Sequence, residues 1–172
     1  MLTSYNNLGG KMKIVMRDDK IVVFLNKKEI VNLDFNDELK LEEYFKMLFI
    51  KLKKNYEIEL NGYYNIDVYQ DKQFGAILEI ENEELEYYNY FNQIDMKINI
   101  LKNSSFLYEI EYGFLDNEIL SQTICYKNSD KIYLKIEKDI NDITFAKILE
   151  YSEIIYGDVI QDILKYGKKV KI

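Results

Sequence analysis

The chain has 172 residues and a net charge of −7, from 23 Lys and Arg against 30 Asp and Glu. It has no His, Pro or Trp and a single Cys, which excludes a Ser/His/Asp triad, a His-ligated metal, an internal disulfide and a four-cysteine zinc knuckle. The acidic balance argues against non-specific nucleic-acid binding, which needs a basic footprint.

Residues 1–11 are polar, with no signal-peptide core. Codons for Leu8-Gly9-Gly10-Lys11 can spell a bacterial ribosome-binding sequence just ahead of Met12. Met12 is therefore the expected true start, which would leave a charge of −8. Residues 1–11 are expected to be disordered or peripheral. Lys13 to Arg17 and Lys20 to Leu25 read as a hairpin about Asp18-Asp19, and Lys28 to Leu33 as a short extended piece. Asn36 or Asp37 can cap a helix over Glu38 to Lys54, in which Leu41, Phe45, Leu48 and Leu52 repeat on one face, widened by Tyr44 and Phe49.

Tyr56 to Leu60, Tyr63 to Tyr69 and Gly75 to Glu81 read as strands, with turns at Asn61-Gly62 and Asp71-Lys72-Gln73. An acidic stretch from Glu81 to Glu86 and the aromatic cluster Tyr87, Tyr88, Tyr90, Phe91 follow. Next come a strand from Asp95 to Leu101 and a turn or cap at Asn103-Ser104-Ser105. Phe106 to Phe114 has no assigned state, and Glu118 to Tyr126 looks extended. Asn128-Ser129-Asp130 turns into a strand over Lys131 to Glu137. A helix from Asp142 to Tyr151 presents Phe145, Ile148 and Leu149 inward. A second helix from Asp158 to Tyr166 presents Val159, Ile163 and Leu164, and Gly167 is expected to end it in the left-handed conformation. Lys168 to Ile172 closes as a strand.

The fold class expected from this order is α+β: two small units, each a mainly antiparallel sheet packed with one or two helices. The first spans residues 12–81 as β-β-α-β-β-β, residues 82–92 connect, and the second spans 93–172. No apolar run is long enough for a transmembrane helix, so a cytoplasmic protein without membrane association is expected.

Glu79 with Glu81, and Glu109 with Glu111, share strand faces where carboxylates can bind a divalent cation or exchange protons. Surface strands carry such pairs routinely, so no catalytic, cofactor or metal residue is assigned and no cofactor is expected. No phosphate-binding glycine motif is present. Cys125 lies in a strand-like stretch and reads as a buried, inert thiol. Lysines 51, 53 and 54, and the tail Lys165, Lys168, Lys169 and Lys171, read as solvated helix ends and edge strands. The best candidate interface is Tyr87, Tyr88, Tyr90 and Phe91, since Tyr and Phe anchor protein contacts well.

From Met12, MKIVMRDDKIVVFLNKKEI resembles the opening strand pair of the MecA family of adaptor proteins. LEEYFKMLFIKL and VYQDKQFGAILEIE are similar to that family's N-domain helix and later strands. KIYLKIEKDINDITFAKILEYSEII and ILKYGKKVKI are similar to its closing strand, helix and tail. The resemblance loosely covers Met12 to Ile172. It implies a non-enzymatic cytoplasmic adaptor whose N-terminal domain recruits a substrate protein and whose C-terminal domain docks on a Clp-type AAA+ unfoldase. The family's acidic linker is longer than the segment here, and no individual binding residue carries over. Two other functions compete with it, besides a purely structural accessory role. One is an antitoxin, immunity protein or inhibitor masking a basic partner, and the other is a carboxylate-based metal-dependent enzyme.

Overall fold

Thr3–Asn6 (β1), Met12–Arg17 (β2) and Lys20–Asn26 (β3) run antiparallel in succession. The computed structural model describes residues 3–6, 12–83, 94–101 and 105–172. Asp18, at φ 52°, makes the tight turn of the β2–β3 hairpin, a conformation that a short polar side chain tolerates. Of the segment expected to be disordered or peripheral, residues 3–6 form the sheet's edge strand, β1, pairing Thr3 with Met16 through Asn6 with Lys13. Lys28 to Leu33 turns rather than extends. Asn26 Oδ1 accepts from the Lys28 and Glu29 amides at 2.9 and 3.1 Å, and Glu29 Oε2 accepts from Asn26 N at 2.8 Å. These local bonds replace a strand ladder.

Glu38–Tyr56 (α1) begins where Asp37 Oδ1 accepts from Lys40 N at 3.2 Å. Its stripe of Leu41, Phe45, Leu48, Phe49 and Leu52 is buried against Ile14, Val23, Leu25, Ile66, Val68 and Leu78 of the sheet. The helix closes on Glu57, left-handed at φ 56°, with Ile58 N donating to Leu52 O at 3.2 Å. Tyr56 to Leu60 is thus a helix end and its exit, where a strand was expected.

Gly62–Asp71 (β4), Gly75–Asn82 (β5) and Ile94–Ile100 (β6) complete a six-stranded sheet in the order β1-β2-β3-β5-β4-β6. β6 lies parallel to β4, with Gly62 opposite Ile94 and Val68 opposite Ile100. Its Ile94, Met96 and Ile98 pack on the first core. The strand expected to open the second unit therefore finishes the first. Alternation identifies a strand, but a parallel partner joined by a crossover leaves no local signature.

The chain divides into two units, Met1–Gln70 with Gly75–Lys102, and Asp71–Phe74 with Asn103–Ile172. In the second, Leu107–Ile110 (β7) leads into a 3-10 turn, Tyr112–Phe114, then Asn117–Gln122 (α2), Ile124–Asn128 (β8) and Lys131–Lys135 (β9). Asp142–Tyr151 (α3), Ser152–Ile155 (β10), Val159–Tyr166 (α4) and Lys168–Val170 (β11) follow. The five-stranded sheet has the order β10-β7-β9-β8-β11, with every pair antiparallel. Both units are α+β, as expected.

Three details of this unit differ from the sequence expectation. Glu118 to Gln122 is helical, because Asp116 Oδ1 caps it at Ile119 N, 2.8 Å away. On α4, Ile160 is buried with Ile163, while Val159 is half exposed. Gly167 is extended at φ −74°. It is needed for proximity instead: its amide donates to Ile163 O at 2.7 Å, and a Cβ there would lie 2.5 Å from that oxygen.

Candidate functional site

Tyr108 to Phe114 packs aromatic and acidic residues into one short run. β7 ends in the 3-10 turn, so the run curls and places Tyr112 and Phe114 beside the end of α3. The Phe114 and Tyr151 rings stack there with centroids 4.5 Å apart and planes 9° from parallel. Phe114 and Tyr151 keep 44% and 42% exposure, and Tyr112 is 67% exposed. The stack therefore leaves part of an aromatic platform open beside Tyr112.

The platform belongs to a groove of about 580 Å³ within the second unit. Five carboxylates line it: Glu109 from β7, Glu111 from its end, Asp130 from the β8–β9 turn, Glu150 from α3 and Glu153 from β10. The lining contains one cation, Lys131, which bonds Glu109 Oε1 at 2.8 Å. That charge-assisted hydrogen bond, followed by Glu109's charge, holds Lys131 above the usual lysine range, with Glu153 adding to it. Tyr133, across the sheet from Glu109, is raised by burial first and then by Glu109's charge. Among the described residues Glu111, Asp130, Glu150 and Glu153 have no ion-pair partner.

A second polar cluster in this unit is structural. Glu118 accepts from Thr144 Oγ1 at 2.7 Å and from Lys147 Nζ at 2.9 Å. Thr144 Oγ1 also accepts from Gln122 Nε2 at 3.1 Å, and Gln122 Oε1 accepts from the Asn141 amide and side chain. Thr144 is wholly buried. Every group has a partner, so the cluster fastens α2 to α3 and leaves no group free to react.

Of the acidic pairs noted in the sequence, Glu109 and Glu111 meet in the groove, whereas Glu79 and Glu81 flank Lys20 on the first sheet at 3.9 and 3.4 Å. Among the described residues no group of three or more acidic or Cys side chains is arranged to hold a metal ion. Cys125 is buried, and burial raises its thiol pKa. Tyr87, Tyr88, Tyr90 and Phe91 lie outside the described residues, as do Asn103 and Ser104. The exposed ring stack was missed because its halves, Phe114 and Tyr151, are far apart in sequence. The interleaving of Glu109, Glu111, Tyr112 and Phe114 was the available signal.

No helix among the described residues is long and apolar enough to cross a membrane. No protein-family model, curated protein or solved structure matches the chain.

Proposed function

We propose that this is a non-enzymatic, cytoplasmic protein-binding module, and that the aromatic groove of its second unit is the docking surface. The observation that carries this reading is the Phe114–Tyr151 stack, left open to solvent beside unpartnered carboxylates. Exposed aromatic side chains within a polar rim are the usual anchors of a protein interface.

In its sharpest form the module is an adaptor that tethers a substrate protein to a Clp-type AAA+ unfoldase. The division into two separately cored units supports this form, since tethering needs two attachment points. Element order similar to the MecA family points the same way. The alternative is an antitoxin, immunity protein or inhibitor that masks one basic partner. It is supported by the net charge of −7 and the acidic groove.

Photo-crosslinking from a benzoylphenylalanine at position 112, in the native host, tests the module reading. A captured protein is then purified and titrated against the wild-type chain and F114A/Y151A. Groove-dependent binding supports docking, and a AAA+ unfoldase among the partners selects the adaptor. If no purified partner binds in a groove-dependent way, the reading fails.

A further inference from the structure

We propose that the groove takes an extended, arginine-bearing segment of a partner protein, an inference that rests on the docking role given to the groove above. Shape comes first. Phe114 and Tyr151 stack face to face and stay part-exposed, so a planar group can stack on an outer face of the pair, and Tyr112 adds a third exposed ring. A guanidinium is planar and weakly hydrated, so it stacks on such faces while its edge donors remain free. An ammonium is a compact, strongly hydrated charge and gains less from a flat platform.

Charge is the second argument. The edge donors of a stacked guanidinium need acceptors beside the rings. Glu111 and Glu150 adjoin Tyr112 and Tyr151 in the chain, and neither has an ion-pair partner among the described residues. Glu153 stands directly opposite Glu109 between β10 and β7. Lys131 bonds Glu109 directly and reaches Glu153 only through its longer-range charge. A fork of N–H donors satisfies paired carboxylates bidentately.

The same groove disfavours the other occupants. An acidic segment or a nucleic acid meets a wall of like charge. An apolar helix would take four unpaired carboxylates out of water with nothing to balance them. A basic segment removes the repulsion already present in the groove.

The test uses the purified full-length chain and fluorescent peptides with identical Gly/Ser spacers carrying two arginines, two lysines or two citrullines. Citrulline keeps the planar shape without the charge. The arginine peptide is expected to bind at least about threefold tighter than the lysine peptide, and the citrulline peptide about tenfold weaker or worse. Arginine affinity should fall several-fold between about 50 and 300 mM salt, where screening shortens to a few ångströms. F114A/Y151A should erase the arginine-over-lysine preference. E153Q, a surface change that leaves the fold intact, should weaken both charged peptides. Equal binding of the citrulline peptide, no binding of any peptide, or an arginine preference unchanged in F114A/Y151A would each overturn the inference. A crosslinked partner that docks at the groove independently of salt and of its own arginines would overturn it while leaving the docking reading intact.

Discussion

Glu153 faces Glu109 across the β10–β7 pair; Lys131 bonds Glu109 at 2.8 Å, and Glu153's charge also favours the charged lysine. Directly opposed side chains in an antiparallel pair sit about 4.5–5.5 Å apart at Cβ, where like charges repel. The two carboxylates repel each other, and Lys131 offsets part of that repulsion. E153Q is therefore expected to raise the urea midpoint at low salt, by the equivalent of about 0.2–0.5 kcal/mol after solvent screening. The gain should vanish in high salt. A lower midpoint at low salt would show that Glu153 is not repelled.

The ring stack can be weighed separately from docking. Aromatic pairs contribute about 0.5–1.5 kcal/mol beyond their buried area. A double-mutant cycle of F114A and Y151A, followed by urea unfolding, should give a coupling energy toward the lower end of that range, because both rings are partly solvated. A coupling of zero would mean that the stack is not formed in solution.

Thr144 is wholly buried and donates to Glu118 while accepting from Gln122. T144V keeps the shape and removes both bonds, so it should cost about 1–3 kcal/mol of stability. Glu118 also links this cluster to pH. The Lys147 hydrogen bond, then that of Thr144, lowers its pKa below the ordinary 4.5. A carboxyl group whose pKa is lowered by folding contributes stability that is present above its unfolded pKa and lost as pH falls through its folded pKa. Between neutral pH and about pH 3, the wild type should lose more stability than E118Q, as read from urea midpoints at each pH.

G167A tests the cause assigned to the glycine. The backbone conformation there, φ −74° and ψ 146°, suits any residue. The obstacle is Ile163 O, 2.5 Å from where a Cβ would stand. The variant should be destabilised by about 1–3 kcal/mol. A neutral or stabilising effect would mean that the end of α4 relaxes freely.

Tyr108 makes the opposite kind of prediction. Its ring meets Phe145 edge-on at 5.7 Å, while its hydroxyl is buried without a hydrogen-bond partner among the described residues. Burial, with Asp71's charge adding, pushes its ionisation well above the usual phenol range. Removing an unsatisfied buried hydroxyl is neutral or favourable. Y108F should keep or raise the thermal midpoint, and a clear loss would reveal a partner for the hydroxyl.

Local patterns carried much of this fold. Phe45 and Leu52 sit where the spacing of α1 placed them, under the Asp37 cap. The turns at Asp18 and Ser129 fall where short polar residues marked them. What depended on distant partners was not legible. β6 looked like the opening of a new unit because its neighbour, β4, is reached only by a crossover. Asp116 caps Glu118 to Gln122 as a helix through its side chain, a bond that alternation does not foretell. The groove was half legible: Glu109 and Glu111 stand out in the chain, but Tyr151 joins them only after α3 has packed.

The parallel seating of β6 also bears on how the chain is made. During synthesis β5, which joins β4 to the sheet, is complete at Asn82, while the strand that covers β4's far side ends at Ile100. At about 5–20 residues per second, the intervening stretch takes roughly 1–4 s to translate. Throughout that interval the nascent first sheet ends in a bare row of backbone donors and acceptors on β4. The bare edge of β4 is thus closed only once Ile100 has been made and β6 has paired with it.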